Sequence, residues 1–267
     1  MTQAQQGADV HPLIDREALT TAARLLGGAR RVAVLTGAGM SAESGVPTFR
    51  GADGLWRTFR AEDLATPQAF ARDAALVWEW YRMRRRRMAS AAPNAGHLAL
   101  ARLERRCASF TVITQNVDGL HARAGTRSLI ELHGNIWRDR CTLDPGHRFE
   151  HQPDEEVSPS PEAIPSCYCG ARLRPDVVWF GEGLDPDHLD AAIEIASTAD
   201  LLLVVGTSSV VYPAAALPSL ARRAGGRVIE INPEETPLSG DMDIVLRGLA
   251  GEVLPELERR AGHSTTG

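Results

Sequence analysis

The sequence predicts an α/β protein built on a doubly wound parallel sheet, and three observations carry that expectation. Short β-branched or aliphatic runs recur at residues 32–36, 110–114, 201–205 and 228–231, as expected of strands buried on both faces. Alanine- and leucine-rich stretches with helical spacing lie around and between them, at 16–26, 95–106, 187–197, 213–224 and 254–260. Glycines and small polar residues directly follow the strand runs, at the edge where such sheets bind ligands.

Length and composition agree with a folded protein of one large or two smaller domains. The chain has 267 residues, of which 43% are hydrophobic and 24% charged, an ordinary globular balance. A net charge of −5 argues against a broad basic surface for nucleic acid. All 29 basic residues are arginine and none is lysine, so covalent lysine chemistry within the chain is excluded. Residues 1–15 lack the apolar run of a secretory signal, and the longest aliphatic run, 201–205, is too short to span a bilayer. A cytoplasmic location without membrane partners is expected.

Two stretches interrupt the strand–helix alternation. Residues 49–94 contain an aromatic, arginine-rich helix at 73–89, and residues 138–175 hold prolines, acids and three of the four cysteines. The expected layout is a discontinuous Rossmann-like domain (11–48, 95–137 and 176–262) with a smaller inserted domain. That insert comprises a helical module, 49–94, and a cysteine-containing, zinc-ribbon-like module, 138–175.

After the first strand comes Gly37-Ala38-Gly39-Met40-Ser41-Ala42, a phosphate-binding turn pattern expected to lead into a helix. The acidic residue that a dehydrogenase carries about 20 residues later is missing. In its place stand Gly45-Val46-Pro47-Thr48-Phe49-Arg50 and Asp53-Gly54-Leu55-Trp56, a turn-rich aromatic segment suited to fold over a nucleotide. Gly206-Thr207-Ser208 after Val205, and Asn232-Pro233-Glu234 after Ile231, place further phosphate- and ribose-binding groups at strand ends. Gln115-Asn116-Val117-Asp118 and His133-Gly134 deliver amide, acid and imidazole groups to the same edge. A histidine can deprotonate a ribose hydroxyl at neutral pH, and an asparagine can orient a hydroxyl or water without changing charge.

Taken together with Val177-Val178-Trp179-Phe180-Gly181-Glu182, these motifs resemble the sirtuins, NAD-dependent protein lysine deacylases, over roughly residues 15–260. The resemblance implies that NAD is consumed: an acyl-lysine amide oxygen attacks the nicotinamide ribose and nicotinamide leaves. The products are lysine and 2′-O-acyl-ADP-ribose. By the same resemblance His133 is the general base, Asn116 positions ribose and water, and Asp118 holds the nicotinamide carboxamide. Gly37, Ala38, Gly39, Ser41, Phe49, Arg50, Gln115, Asn116, Val117, Asp118, Gly206, Thr207, Ser208, Asn232, Pro233, Glu234 and Ala250 are implied NAD contacts. Val178 through Glu182 is implied to be the strand that pairs with the substrate peptide, an acylated protein segment.

Acyl choice is also readable. Val77, Tyr81, Arg84 and Met88 recur at helical spacing, and the Tyr-x-x-Arg pair resembles that of class III sirtuins, where it binds succinyl, malonyl or glutaryl carboxylates. Succinyl and malonyl removal is therefore expected, with acetyl also accepted. Arg85 and Arg86 are expected in a solvated helix end. The cysteines depart from the family's paired CxxC pattern: Cys141 is followed by Asp144, and the second group is Cys167-Tyr168-Cys169. Cys141, Cys167 and Cys169, with Asp144, His147 or His151 as fourth ligand, would make a structural zinc site; packing without metal is the other reading. Cys107 reads as a small buried residue. A general deacetylase, an ADP-ribosyltransferase and a catalytically idle NAD or ADP-ribose sensor are the competing functions.

Overall fold

The computed structural model describes residues 15–46, 61–152 and 164–262. Its main sheet contains β1 (Arg31–Thr36), β2 (Ser109–Thr114), β3 (Leu129–Glu131), β7 (Leu201–Val205), β8 (Arg227–Ile231) and β9 (Ile244–Leu246). They lie in the order β3-β2-β1-β7-β8-β9, and every neighbouring pair is parallel.

Alternation along each strand explains the two covered faces. Val32, Val34, Leu201, Leu203 and Val205 point into one core with α1 (Arg16–Gly28), α5 (Ala95–Glu104) and α9 (Ala250–Ala261). Ala33, Leu35, Leu202 and Val204 point into the other, against α7 (Pro186–Thr198) and α8 (Leu217–Arg223). Burial on both sides is why the strands read as unbroken apolar runs. Side chains of Asp15, Asn94 and Asp185 cap α1, α5 and α7, each contributing about 1 kcal/mol.

The second sheet is antiparallel, with order β5-β4-β6, formed by β4 (Gly134–Cys141), β5 (Arg148–Glu150) and β6 (Leu173–Val177). The long helix α4 (Ala74–Ala89), preceded by α2 (Ala61–Leu64) and α3 (Pro67–Arg72), shares a third core with it, including Val77, Trp78, Tyr81, Ile136, Trp137, Leu173 and Trp179. The Trp78 indole donates to the Leu173 carbonyl at 3.1 Å.

Three features differ from what the sequence leads one to expect. Arg85 does not lie in solvent: it is 4% exposed, and its guanidinium donates to the Ile136 carbonyl (2.6 Å) and to Asp139 (2.6 Å), because α4 lies across β4 and buries the side that carries it. Arg86 is exposed as expected. The glycine turn leads into a 3₁₀ helix, Ala38–Ser44, and not an α-helix. Finally β6 ends at Val177, and Trp179 to Glu182 close a turn through a Glu182 N–H to Trp179 carbonyl bond. Among the described residues, no helix is long and apolar enough to cross a membrane.

Candidate active site

Parallel register sets where the site lies. Thr36 is level with Thr114 and Val205, and Val205 with Ile231, so four strands end in one plane and their loops begin together. The strand order reverses direction between β1 and β7, the switch point at which open α/β sheets form a ligand crevice.

At that switch point two loops pack backbone on backbone. The Gly37 N–H donates to the Val205 carbonyl and the Gly39 N–H to Gly206, at 3.0 and 2.8 Å. A Cβ on Gly39 would lie 2.8 Å from the Gly206 Cα, and Gly206 itself has φ +57°. Glycine is therefore demanded by the contact between the loops themselves, beyond any approach of a phosphate.

Around this turn runs a buried polar network. Asn116 Nδ2 donates to the Gly37 carbonyl (3.0 Å) and to Ser41 Oγ (3.1 Å), while the Ser41 hydroxyl donates to Asp118 at 2.7 Å. Asp118 also accepts the Leu120 N–H at 2.9 Å; burial raises its carboxyl above the usual range, against the pull of those two donors. Val117 is buried nearby, in the core shared with α4. Beneath the network, His121 bonds Thr36, which donates to Thr114. His97 stacks near His121, with centroids 4.8 Å apart, and burial lowers its pKa to about 4. The sequence assigns neither histidine a role, since nothing there separates a buried histidine from a surface one.

His133 sits at the rim, half-buried. Its Nδ1–H donates to the Gln115 carbonyl at 2.9 Å, so the neutral ring carries its lone pair on Nε2. Burial holds its pKa below the ordinary histidine value, partly offset by the Gln115 bond.

On the other side of the switch point, Gln115 donates to Thr207 Oγ1 (3.0 Å) and Asn232 to the Thr207 carbonyl (2.9 Å). These bonds tie together the loops after β2, β7 and β8. Ser208 and Ala38 are half-buried in the same loops, whereas Pro233 and Glu234 are exposed beyond β8. Ala250 begins α9, 4% exposed, with its carbonyl against Gly96. Phe49 and Arg50 lie outside the described residues. Among the described residues, two buried hydroxyls lack hydrogen-bond partners on the loops that follow β1 and β7: Ser44 Oγ, at the end of the 3₁₀ helix after the glycine turn, and Ser209 Oγ, just beyond Thr207. Orphaned polar atoms beside a glycine turn fit a polar ligand such as a dinucleotide.

The 178–182 segment borders the His133 side. The Val178 N–H donates to the His133 carbonyl (2.9 Å), the Trp179 N–H to Glu182 (2.8 Å) and the Phe180 N–H to the Ala65 carbonyl (2.9 Å). Phe180 and Gly181 are exposed. Behind Trp179 lie Tyr81, fully buried, and Arg84, 6% exposed. The Arg84 guanidinium stacks 4.8 Å from the Trp80 ring, and among the described residues no carboxylate lies within ion-pair distance of it. Burial depresses its pKa, opposed by Tyr81.

Away from the crevice, Cys141, His147, Cys167 and Cys169 place one donor atom each within 4.8 Å of one another. The Cys141 and Cys169 sulfurs are 3.5 Å apart, and His147 Nδ1 is 3.4 Å from Cys167 Sγ, separations suited to one tetrahedral ion. Asp144 is not in the set: its carboxylate faces His147 Nε2 at 3.3 Å, as a carboxylate supporting a ligating histidine does. His151 is engaged by Asp139 at 2.7 Å.

Comparison with known proteins agrees with this geometry. The Sir2 family profile matches residues 37–213. NAD-dependent protein deacylase 2 of Pyrobaculum aerophilum is 54% identical over 235 residues, 88% of this chain and 92% of that one. The NAD-dependent protein deacylase of Aquifex aeolicus is 54% identical over 214 residues, 80% of this chain and 87% of the relative. A solved Sir2 homologue in complex with NAD superposes with a TM-score of 0.85 at 47% identity, covering 97% of each chain. Shared sequence and shared fold over most of the chain lead to one conclusion: this chain belongs to the Sir2 family.

Proposed function

We propose that the protein removes acyl groups from protein lysines at the expense of NAD, with preference for acyl groups that end in a carboxylate, succinyl and malonyl above acetyl. NAD, when bound, supplies an electrophilic ribose carbon and a nicotinamide leaving group. The loops of Gly37–Ser41, Gln115–Asp118, Gly206–Ser208 and Asn232–Glu234 would hold it, together with Phe49, Arg50 and Ala250. Asp118 keeps lone pairs for a carboxamide, and Asn116 offers its amide to a ribose hydroxyl or water. His133 accepts a proton at Nε2, since its Nδ1 proton is committed to Gln115.

One observation carries the acyl preference. Arg84 is a buried cation beside the Tyr81 ring, 5.5 Å from its centroid, and among the described residues it has no acidic partner. A buried charge costs several kcal/mol unless it is paired. A carboxylate at the end of the acyl chain would supply that partner, and such a charged bond contributes about 1.5–3 kcal/mol, at least tenfold in selectivity. The partners are acylated proteins of the cytoplasm. Among the described residues, the carbonyls of Val178 and Phe180 and the N–H of Gly181 stay open for peptide pairing. Cys141, His147, Cys167 and Cys169 would hold a structural zinc that takes no part in the chemistry.

The test is product identification by mass spectrometry after incubation with NAD and matched acetyl- and succinyl-lysine peptides. Nicotinamide, free lysine and 2′-O-acyl-ADP-ribose are expected, formed faster from the succinyl peptide. ADP-ribose transferred to protein, or NAD bound without turnover, would overturn the reading.

A further inference from the structure

Tyr81 makes one bond that the helix spacing did not foretell. The Trp179 indole Nε1–H donates to the Tyr81 hydroxyl oxygen at 2.8 Å, inside a core where Tyr81 is fully buried and Trp179 is 2% exposed. A phenol has one proton to give and lone pairs to fill. With the indole on a lone pair, the proton points elsewhere, and no acceptor for it exists among the described residues. Burial raises the Tyr81 pKa, against the lowering by Arg84 and Trp179, so the proton is present at neutral pH.

Trp179 is itself held from three sides. The Arg174 guanidinium carbon lies 3.3 Å from the Trp179 ring centroid, and the Phe70 ring packs at 5.3 Å. Its backbone N–H donates to Glu182, whose carboxylate receives two bonds from Arg174 at 2.5 and 2.9 Å. Indole direction is thus set by the same clamp that shapes the 178–182 turn.

We propose that Trp179 is a positioning residue for acyl choice: its indole N–H occupies the Tyr81 oxygen and leaves the phenol proton, beside Arg84, to be donated to the acyl carboxylate. The inference rests on the carboxylated-acyl reading above and deepens it. Segment 178–182, implied to read the peptide backbone, then also helps to read the acyl group from behind.

The experiment is a double-mutant cycle on the ratio of kcat/KM for succinyl- over acetyl-lysine peptide, with Arg84→Met alongside. Trp179→Phe keeps an aromatic ring, smaller than the indole, and removes the N–H. It is expected to lower the ratio about three- to tenfold, mainly through a higher KM for the succinyl peptide. In the Tyr81→Phe background the same change is expected to leave the ratio where Tyr81→Phe alone put it. A merely structural role would slow both peptides together and persist in that background, which overturns the proposal. So does an unchanged ratio in Tyr81→Phe, which decides the matter even where Trp179→Phe fails to fold. A wild-type enzyme without succinyl preference removes the underlying reading and the proposal with it. Loss of preference in Arg84→Met but not in Trp179→Phe overturns the proposal alone.

Discussion

His133 and Arg84 show how a fixed environment assigns a role to a side chain. The Gln115 carbonyl selects the tautomer of His133, and burial keeps the ring neutral below the ordinary histidine pKa of about 6.5. Peptide kcat/KM is therefore expected to be flat above pH 7 and to fall as the pH drops through the depressed His133 pKa. Replacement by alanine is expected to reduce acyl-ADP-ribose formation by at least about a hundredfold with NAD affinity largely retained, measured by product assay and calorimetry. Within Arg84-Arg85-Arg86-Arg87 the residue type is constant, so the sequence alone could not say which guanidinium enters the core; the position of β4 decides it. Removing Arg85 takes one hydrogen-bonded partner from the buried Asp139 and leaves it His151 at 2.7 Å, and Arg85→Ala is expected to cost about 3 kcal/mol in denaturant unfolding.

At the level of elements, strands made of unbroken aliphatic runs were legible, whereas the eight-residue β4, which carries Arg138, Asp139 and Arg140, was not. Residues 201–205 read correctly because aliphatic residues line both faces, whereas β3 and β9 are three residues each, too short for any period to show. The start of α9 was placed four residues late, at 254 instead of 250, since Gly251 and the internal Pro255 mask a helix that packing sustains. In the cysteine module, spacing offered three candidates for a fourth ligand, and only folding of β4 and β5 around residue 147 separates them. Purified protein is expected to carry about one zinc per chain by elemental analysis, in a tetrahedral structural site. His147→Ala is expected to lose that stoichiometry, while His151→Ala keeps it.

Over the whole molecule, the site was legible as a set of strand-end motifs, but its supporting network was not. Ser41, Asn116 and Asp118 meet through register between strands far apart in sequence, and His97 and His121 are buried below them. Those histidines link the site to acid stability. Both stay neutral when folded, His97 with a pKa of about 4, so between pH 6.5 and 4 the unfolded chain takes up protons that the folded one refuses. Stability is then complete above pH 6.5 and falls as the pH falls, by on the order of 3 kcal/mol from His97 alone. Denaturant midpoints measured from pH 7.5 to 4 are expected to follow that slope, with His97→Gln flattening it. A chain with 29 arginines and no lysine also offers no side chain that could be its own acyl-lysine substrate.

The proposed role of Arg84, a buried cation with no acidic partner among the described residues, is to await the carboxylate of the acyl group. It is tested most directly by kcat/KM for succinyl- and acetyl-lysine versions of one peptide, in wild type and Arg84→Met. Wild type is expected to favour the succinyl peptide at least about tenfold, and Arg84→Met to lose that preference while acetyl turnover holds or rises. Equal loss of both activities in Arg84→Met, or a wild type that favours acetyl, would contradict it.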